Sequence, residues 1–271
     1  MRFLTVLGAR ALPAAVALVV ASAPSPAQPS TTVSPPAPLS ARELITRGDR
    51  EFIARRASAA LSLYEQALAV EPRNYDALTR AARDAIDVGE FMTDAPARTG
   101  LYRRAERYAR TAVDVNPKGA EGHFELSRAL GRTALAAGPR DRVKFAKEVR
   151  AAAEAAVAID PNHAGAWHVL GVWNAEVMRL SGLTRAFART FLGAQVFNEA
   201  SWEKARTMME KSVQLEPTRL VHKLDLARVY RDMGRAADAR TTYEAALASA
   251  LIDANDERYK AAAESELARL K

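Results

Sequence analysis

Four short phrases decide the fold of this chain: Ala69-Val-Glu-Pro72, Asp114-Val-Asn-Pro117, Ala158-Ile-Asp-Pro161 and Gln214-Leu-Glu-Pro217. Before each phrase, small and large apolar residues recur at intervals of three or four, which is the spacing of one face of an α-helix. Proline does not continue a helix and it restricts the residue before it, so each phrase predicts a helix end. The sequence therefore predicts an array of repeated helical units.

The spacing around these prolines matches the tetratricopeptide repeat (TPR), a helix–turn–helix unit of about 34 residues. In this repeat, small residues let the two helices approach and large residues fill the space between them. The residues of the first, fourth and fifth units that fit this pattern are Leu44, Gly48, Ala60, Tyr64, Ala67, Trp167, Leu170, Gly171, Ala205, Met209, Ser212, Leu226, Ala227, Tyr230, Ala239, Tyr243 and Ala246. Their joint match predicts an all-α, TPR-type right-handed solenoid of about five helix pairs.

The same frame predicts the boundaries of the repeats. They cover approximately residues 41–74, 75–119, 120–163, 164–219 and 220–253, and a C-terminal capping helix covers 256–270. The solenoid as a whole is predicted to span residues 41–271.

Three of the repeats are longer than the standard unit. The prolines are 45, 44 and 56 residues apart, which implies insertions of 11, 10 and 22 residues. We expect the insertions between the two helices of a pair, near residues 89–100, 136–142 and 179–201, where they would project from one edge of the solenoid. In the third insertion, apolar residues at 183, 186, 187 and 191 predict a short amphipathic helix.

Residues 1–27 have the features of a secretory signal peptide. Arg2 and Arg10 precede or open an apolar stretch that ends in small residues, and the first acidic residue is Glu43. We predict cleavage after Ala27, a Pro/Ser/Thr-rich disordered linker over 28–40, and a periplasmic or secreted protein. An uncleaved N-terminal membrane anchor is one alternative and a mitochondrial transit peptide is another.

The composition excludes several classes of function. The 271 residues include no cysteine, which excludes disulfides, thiolate metal sites and a cysteine nucleophile. The formal net charge of +7 becomes +5 without residues 1–27, and acidic residues are interleaved with basic ones over the rest of the chain. This weak, mixed charge does not favour a nucleic-acid partner. After signal cleavage we expect no stable insertion into a membrane.

A group of motifs in the second half of the chain is more specific than a general TPR pattern. These motifs are Gly122-His-Phe-Glu-Leu126, Leu130-Gly-Arg-Thr133, Ile159-Asp-Pro-Asn-His163, Ala166-Trp-His-Val-Leu-Gly171, Leu180-Ser-Gly-Leu183, Phe191-Leu-Gly193 and His222-Lys-Leu-Asp-Leu226. With them the chain resembles the regulator of microtubule dynamics family of TPR proteins, particularly its uncharacterised bacterial relatives. Eukaryotic members of that family are linked with microtubules or organelle membranes. For an exported bacterial protein the resemblance implies the fold and a general partner-binding role, and it supplies no catalytic residues.

The sequence does not favour catalysis, a metal or a cofactor. His163 and His168 are five residues apart at the start of one helix, so their side chains are expected to point about 140° apart rather than to one metal ion. We find no nucleophile elbow and no glycine-rich phosphate loop. Trp167 occupies a packing position of the repeat and is assigned to the core.

The concave groove is the most informative surface, because the first helix of each TPR pair lines it. The predicted partner-binding residues are Arg83, Phe124, Arg128, Arg132, His168, Arg228 and Arg231. Five of these are arginines, whose planar guanidinium groups bind carboxylates well. In the alternative interpretation, the arginines pair with acidic residues of the same face, namely Asp76, Asp87, Glu121, Glu176 and Asp232.

Two functional hypotheses follow. In the first, the protein is a non-enzymatic interaction module of the cell envelope whose groove binds a protein or peptide partner, with an acidic segment or a free C-terminus as its expected chemistry. In the second, it is a structural or oligomerising unit, a homo-oligomer included, that makes its contacts through residues 183–197 and the terminal helix.

Overall fold

A computed structural model describes residues 39–135, 139–191 and 195–270 of the chain. These residues form twelve α-helices, one 3₁₀ helix at Gln195–Glu199, and no β-strand. The α-helices α1 to α12 are, in order, Ala41–Ile53, Ala57–Val70, Tyr75–Glu90, Ala95–Val115, Ala120–Leu135, Pro139–Ile159, Ala164–Arg179, Gly182–Phe191, Trp202–Leu215, Leu220–Asp232, Ala236–Leu247 and Asp256–Ala268. The prediction of an all-α helical solenoid is confirmed. The predicted signal peptide and residues 28–38 of the predicted linker lie outside the described residues.

The helices pack as five adjacent pairs: α1 with α2, α3 with α4, α5 with α6, α7 with α9, and α10 with α11. The second helix of each of the first four pairs ends two residues before the proline that marked it in the sequence.

The first two described residues, Leu39 and Ser40, already take part in the packing and capping of α1. Ser40 is the N-cap of α1: its hydroxyl accepts from the backbone N–H of Glu43 (3.3 Å), and the Glu43 carboxylate accepts from the backbone N–H of Ser40 (2.9 Å). Leu39 packs against the core of the first two repeats. The last two residues of the predicted linker therefore belong to the folded unit.

The two helices of a pair come closest at the positions where the TPR pattern predicted small residues. A Cβ atom added to Gly48 would lie 2.5 Å from Cε1 of Tyr64, which is completely buried. Only glycine permits this approach of α1 to α2. The aromatic ring therefore fills the space that the missing side chain leaves.

The first two insertions extend helices and do not form separate loops. Helix α3 has 16 residues and α4 has 21, whereas α1 has 13 and α2 has 14. These extensions and one extra loop residue account for the whole 11-residue insertion. In the next pair, α5 with 16 residues and α6 with 21 account for the 10-residue insertion in the same way. In the described part of the chain, the residues expected to be inserted near 89–100 and 136–142 therefore lengthen the adjacent helices, because they have helical spacing.

The third insertion contains the predicted short helix, α8, followed by the 3₁₀ helix. Ala188 of α8 is buried, and Phe197 of the 3₁₀ helix packs edge-on against Trp173 of α7, with ring centroids 6.0 Å apart. Leu183 at the start of α8 is 86% exposed. The insertion therefore packs on the end of α7, and one leucine remains in solvent.

Two tryptophans of α7 differ in their environment. Trp173 is buried, and its indole N–H donates to the backbone carbonyl of Ala146 (2.8 Å). Trp167 is only half-buried, and its indole N–H donates to the carbonyl of Pro161 (2.9 Å). The assignment of Trp167 to the core is therefore only partly right, because the side chain holds the turn before α7 and leaves part of its ring in solvent.

The predicted capping helix is α12. Its residue Ala263 is fully buried in the cluster that α9, α10 and α11 form, and Tyr259, Ala262, Leu267 and Leu270 pack around the same cluster. The last helix therefore covers the apolar face that α10 and α11 would otherwise expose.

Candidate functional site

The candidate site is the groove face formed by α1, α3, α5, α7 and α10, the first helices of the five pairs. All seven residues predicted for the site lie on these helices. The five predicted arginines each form at least one ion pair within the chain. Of the acidic residues named in the alternative interpretation, Asp87 pairs with Arg128 and Asp232 pairs with Arg231. The partners of Arg83, Arg132 and Arg228 are acidic residues that it did not name.

Arg83 lies in the first part of this face. Its Nε atom donates to Asp84 Oδ1 (2.7 Å), and its guanidinium group stacks 3.5 Å above the ring of Phe52. Asp84 is fully buried, and its other carboxylate oxygen has no hydrogen-bond partner among the described residues. Burial raises the pKa of Asp84 to about 7, although the charge of Arg83 acts in the opposite direction.

Arg128 and Arg132 of α5 are held by acidic residues of α3 and α5. Arg128 donates to Asp87 (2.7 Å) and to both oxygens of Glu125 (3.1 Å), and Arg132 donates to Glu90 (2.5 Å). Glu125 is 1% exposed, and its burial raises its pKa to about 7. Both arginines are therefore paired with carboxylates of the chain itself.

Phe124 and His163 form an aromatic contact between α5 and the start of α7. Their ring centroids lie 4.6 Å apart, and the edge of the Phe124 ring lies against Gly165 so closely that a Cβ there would be 2.5 Å from Cζ. His163 is the N-cap of α7, and its other ring nitrogen contacts Glu121 (3.1 Å). Phe124 is thus half-buried between neighbouring repeats and presents only part of its ring to the groove.

His168 contacts Asp225 of α10 (2.9 Å) and stacks on His222, with ring centroids 4.6 Å apart. His222 in turn contacts the hydroxyl of Ser212 (2.9 Å). Ser212 is completely buried, and burial lowers the pKa of His222 well below its usual value. These contacts join α7, α10 and α9 through partly or fully buried side chains.

The groove arginines of α10 bind the carboxylate of Glu266, which the repeat pattern did not place on this face. Arg228 donates to Glu266 of α12 through Nε and Nη2 (2.6–3.1 Å), and Arg231 donates to the same carboxylate (2.9 Å). The hydroxyl of Tyr243 is a further donor to Glu266 (2.8 Å). Sequence reasoning missed Glu266 because it assigned α12 only a capping role with a charged outer face.

One part of the groove face remains open. A cavity of about 220 Å³ lies between the starts of α3 and α5, and it is lined by Tyr75, Asp76, Thr79, Arg80, Arg83 and Glu121. The carboxylates at its edge are the more exposed charges: the side chains of Asp76 and Glu121 are 67% and 48% exposed, whereas Arg80 and Arg83 are 29% and 19% exposed. Both carboxylates are paired within the chain, Asp76 with Arg80 (3.1 Å) and Glu121 with His163 (3.1 Å), and they are the more exposed members of these pairs.

The described residues contain no group of three or more histidine and acidic side chains that could hold a metal ion. Among the described helices, none combines the length and apolar character that crossing a bilayer requires.

Comparison with known proteins places this geometry in context. The family model for regulator of microtubule dynamics protein 1-3 matches residues 44–271. No curated protein matches the chain. Among solved structures, TTC0263, a thermophilic TPR protein of Thermus thermophilus, superposes with a TM-score of 0.61 at 23% identity, over 83% of this chain and 100% of that one. PilF of Pseudomonas aeruginosa gives 0.49 at 14% identity, over 85% and 91% of the two chains. The likeness to TTC0263 shows the TPR fold alone.

Proposed function

This chain belongs to the regulator of microtubule dynamics protein 1-3 family, and from that membership and its TPR fold we propose that it is a non-catalytic protein–protein interaction module. It binds a segment of a partner protein in the concave groove. The observation that carries this proposal is the open cavity at the starts of α3 and α5, on the face where TPR proteins present their first helices. The burial of Ser212 beside His222 supports a binding role over a catalytic one.

The partner segment is cationic in this proposal. The arginines that would receive an acidic segment are already paired with internal carboxylates, and an acidic partner would compete with these. The carboxylates of Asp76 and Glu121 are also paired, with Arg80 and His163, but they are more exposed at the edge of the cavity and can accept a further donor. A lysine or arginine side chain that enters the cavity would meet them without breaking a buried ion pair.

The protein acts outside the cytoplasm in this proposal. The support is the N-terminal sequence alone, in which a basic start, an apolar stretch and small residues precede a Pro/Ser/Thr-rich segment. The module is periplasmic or secreted after cleavage near Gln28.

One observation favours the second candidate, an oligomerising unit that uses residues 183–197. Leu183 is 86% exposed at the start of α8. A single exposed leucine is ordinary on a protein surface, so the groove is the better-supported site. If Leu183 forms an interface between copies, Leu183→Asp should change the mass measured by light scattering.

The experiment that tests the proposed function is affinity capture from an envelope extract with residues 28–271 as bait. We expect a captured protein that is lost with Asp76→Lys/Glu121→Gln and with added salt. The matched control is Asp114→Lys/Glu244→Gln, which makes the same change of charge at exposed positions of the second helices α4 and α11. Equal loss with both variants, or no loss with either, would remove the open groove as the binding site.

A further inference from the structure

The last helix, α12, has two contact surfaces of different character. On one side it packs on α10 and α11 through apolar side chains around the fully buried Ala263. On the other side, the start of α12 reaches across the groove to the end of α3, from which it is separated by 167–169 positions in the sequence. The groove is therefore bridged by the chain itself.

The contact with α3 consists of three hydrogen bonds. The Asn255 side chain donates to the carbonyl of Asp87 (2.9 Å), Arg258 donates to the carbonyl of Phe91 (3.2 Å), and the Tyr259 hydroxyl donates to Glu90 (2.6 Å). We call these six residues the clasp. Within the clasp, the ring of Phe91 lies edge-on to Tyr259 (5.5 Å between centroids) and beneath the guanidinium group of Arg258 (4.9 Å).

The two sides of α12 differ in how readily they separate. Hydrogen bonds at a partly exposed contact exchange for hydrogen bonds to water at a small net cost, whereas separating α12 from α10 and α11 would expose apolar surface. Arg258 is exposed, and Phe91 and Tyr259 are only partly buried. The clasp is therefore the contact of α12 that opens first.

The clasp also indicates which chemistry the end of α3 accepts. On the α3 side it offers two backbone carbonyls and Oε2 of Glu90, whose Oε1 accepts from Arg132, at a helix C-terminus that carries partial negative charge. On the α12 side it offers only donors, one of which is an arginine. This preference agrees with the exposed carboxylate of Asp76 at the other end of the same helix.

We propose that the clasp is an openable closure of the groove, and that a cationic helical segment of the partner replaces Arg258 and Tyr259 on the end of α3. This inference rests on the proposed function of the groove. In the closed state α12 is the internal occupant of the end of α3, and the open cavity at the start of α3 is the place where the partner first binds.

Opening can be measured without a partner, because the chain has no cysteine of its own. Spin labels at Thr93→Cys and Ala261→Cys, both at exposed positions, report the separation of α3 and α12 by pulsed electron paramagnetic resonance. In the full chain we expect one short distance. With Arg258→Ala/Tyr259→Phe we expect a second, longer population at unchanged helix content. Arg269→Ala, which removes one exposed arginine from the end of the same helix outside the clasp, is the control and should leave the distance unchanged.

Binding is measured with a fluorescein-labelled peptide of residues 252–270 that keeps Arg258 and Tyr259 and has its acidic residues replaced by glutamine. The peptide should bind the clasp variant about tenfold more tightly than the unaltered chain, a difference that corresponds to about 1.4 kcal/mol. A control peptide with alanine in place of Arg258 and Tyr259 should bind neither protein.

The outcomes separate the inference from the proposed function. A single short distance in the clasp variant would overturn the inference, because the other contacts of α12 would then hold it in place without the clasp. Equal binding of the first peptide to both proteins would also overturn it, while leaving a cationic-segment site in the groove. If the clasp variant shows the longer spin-label distance but does not bind the peptide, the clasp is an openable closure and its replacement by a cationic segment is wrong.

Discussion

Gly171 of α7 lies so close to Met209 of α9 that a Cβ atom added to the glycine would be 2.6 Å from Cγ of the methionine and 3.2 Å from the backbone oxygen of Ala205. The methionine side chain can move, but the backbone oxygen cannot. We therefore expect Gly171→Leu to lower the free energy of unfolding by about 1–3 kcal/mol or more through overpacking. Ala205→Leu, at a fully buried position of the same contact, should act in the same direction.

Urea denaturation measures both changes, and Gly131 of α5 provides the matched control. A Cβ added to Gly131 would meet no atom within 4 Å. Gly131→Ala should therefore stabilise the protein by up to about 1 kcal/mol, since alanine favours a helix more than glycine does. Unchanged unfolding for Gly171→Leu would show that α7 and α9 do not pack as described.

Arg128 is expected to be essential for stability and not only for binding. Arg128→Met leaves the buried carboxylate of Glu125 without its cation, and such a loss costs about 3–5 kcal/mol. Lys144→Met, which breaks an exposed pair with Glu148, should cost only about 0–1 kcal/mol. Denaturant unfolding of the two variants checks this, and equal effects would mean that the Arg128 network contributes no more than a surface pair.

The buried carboxyl of Asp84 should make stability depend on pH. Its pKa is raised from 3.8 in the unfolded chain to about 7 in the folded protein, chiefly by burial. Between those values the folded state keeps a proton that the unfolded state has lost, so this contribution to stability is present at low pH and is lost as pH rises through the folded-state pKa.

The change attributable to Asp84 should approach about 1.4 kcal/mol per pH unit between the two pKa values. The contribution of Asp84 is isolated by measuring the free energy of unfolding of the unaltered chain and of Asp84→Asn at several pH values, because the other titrating groups are common to both. Their difference in unfolding free energy should fall with rising pH and then become constant. A difference that is independent of pH would mean that Asp84 titrates normally.

Charge reversal on α10 distinguishes a cationic partner from an acidic one. Arg228→Glu/Arg231→Glu removes two of the three side chains that donate to Glu266, leaves Tyr243, and does not change Asp76 or Glu121. With a cationic partner, capture should persist after this change and be lost with Asp76→Lys/Glu121→Gln. Loss of capture with the arginine variant and persistence with Asp76→Lys/Glu121→Gln would instead favour an acidic partner segment, as the arginines alone predicted.

Export is expected to remove the first 27 residues. N-terminal sequencing of the protein from the periplasm or the medium should give a chain that starts near Gln28. An intact Met1 in a membrane fraction would favour the uncleaved anchor.

The parts of the fold that depend on local sequence were predictable. Pro72, Pro117, Pro161 and Pro217 correctly marked helix ends, because the effect of proline on the backbone is local. The contact between Gly48 and Tyr64 also followed from the repeat pattern, which fixes the spacing of packed residues within one pair.

The pairing of the groove charges was less predictable, because it depends on how distant repeats meet. Arg228 was placed on the groove face correctly, but its partner Glu266 lies 38 positions away on a helix that was assigned only a capping role. The contact between Glu90 and Tyr259 spans 169 positions, and no repeat pattern encodes it. It results from the curvature of the array, which is the accumulated rotation of several pairs.

The helical insertions in the second and third repeats have a consequence for how such a chain can change its length. Helices α4 and α6 have 21 residues each and α2 has 14, a difference that is close to two complete turns and about 10 Å of added length. After two turns the added segment presents the same face to its partner helix, so the packing surface continues without rotation. A change of about five residues would instead rotate everything beyond it by about 140° and turn polar side chains inward. Viable relatives in which the second helix of a pair is longer or shorter should therefore differ in helix length by whole turns.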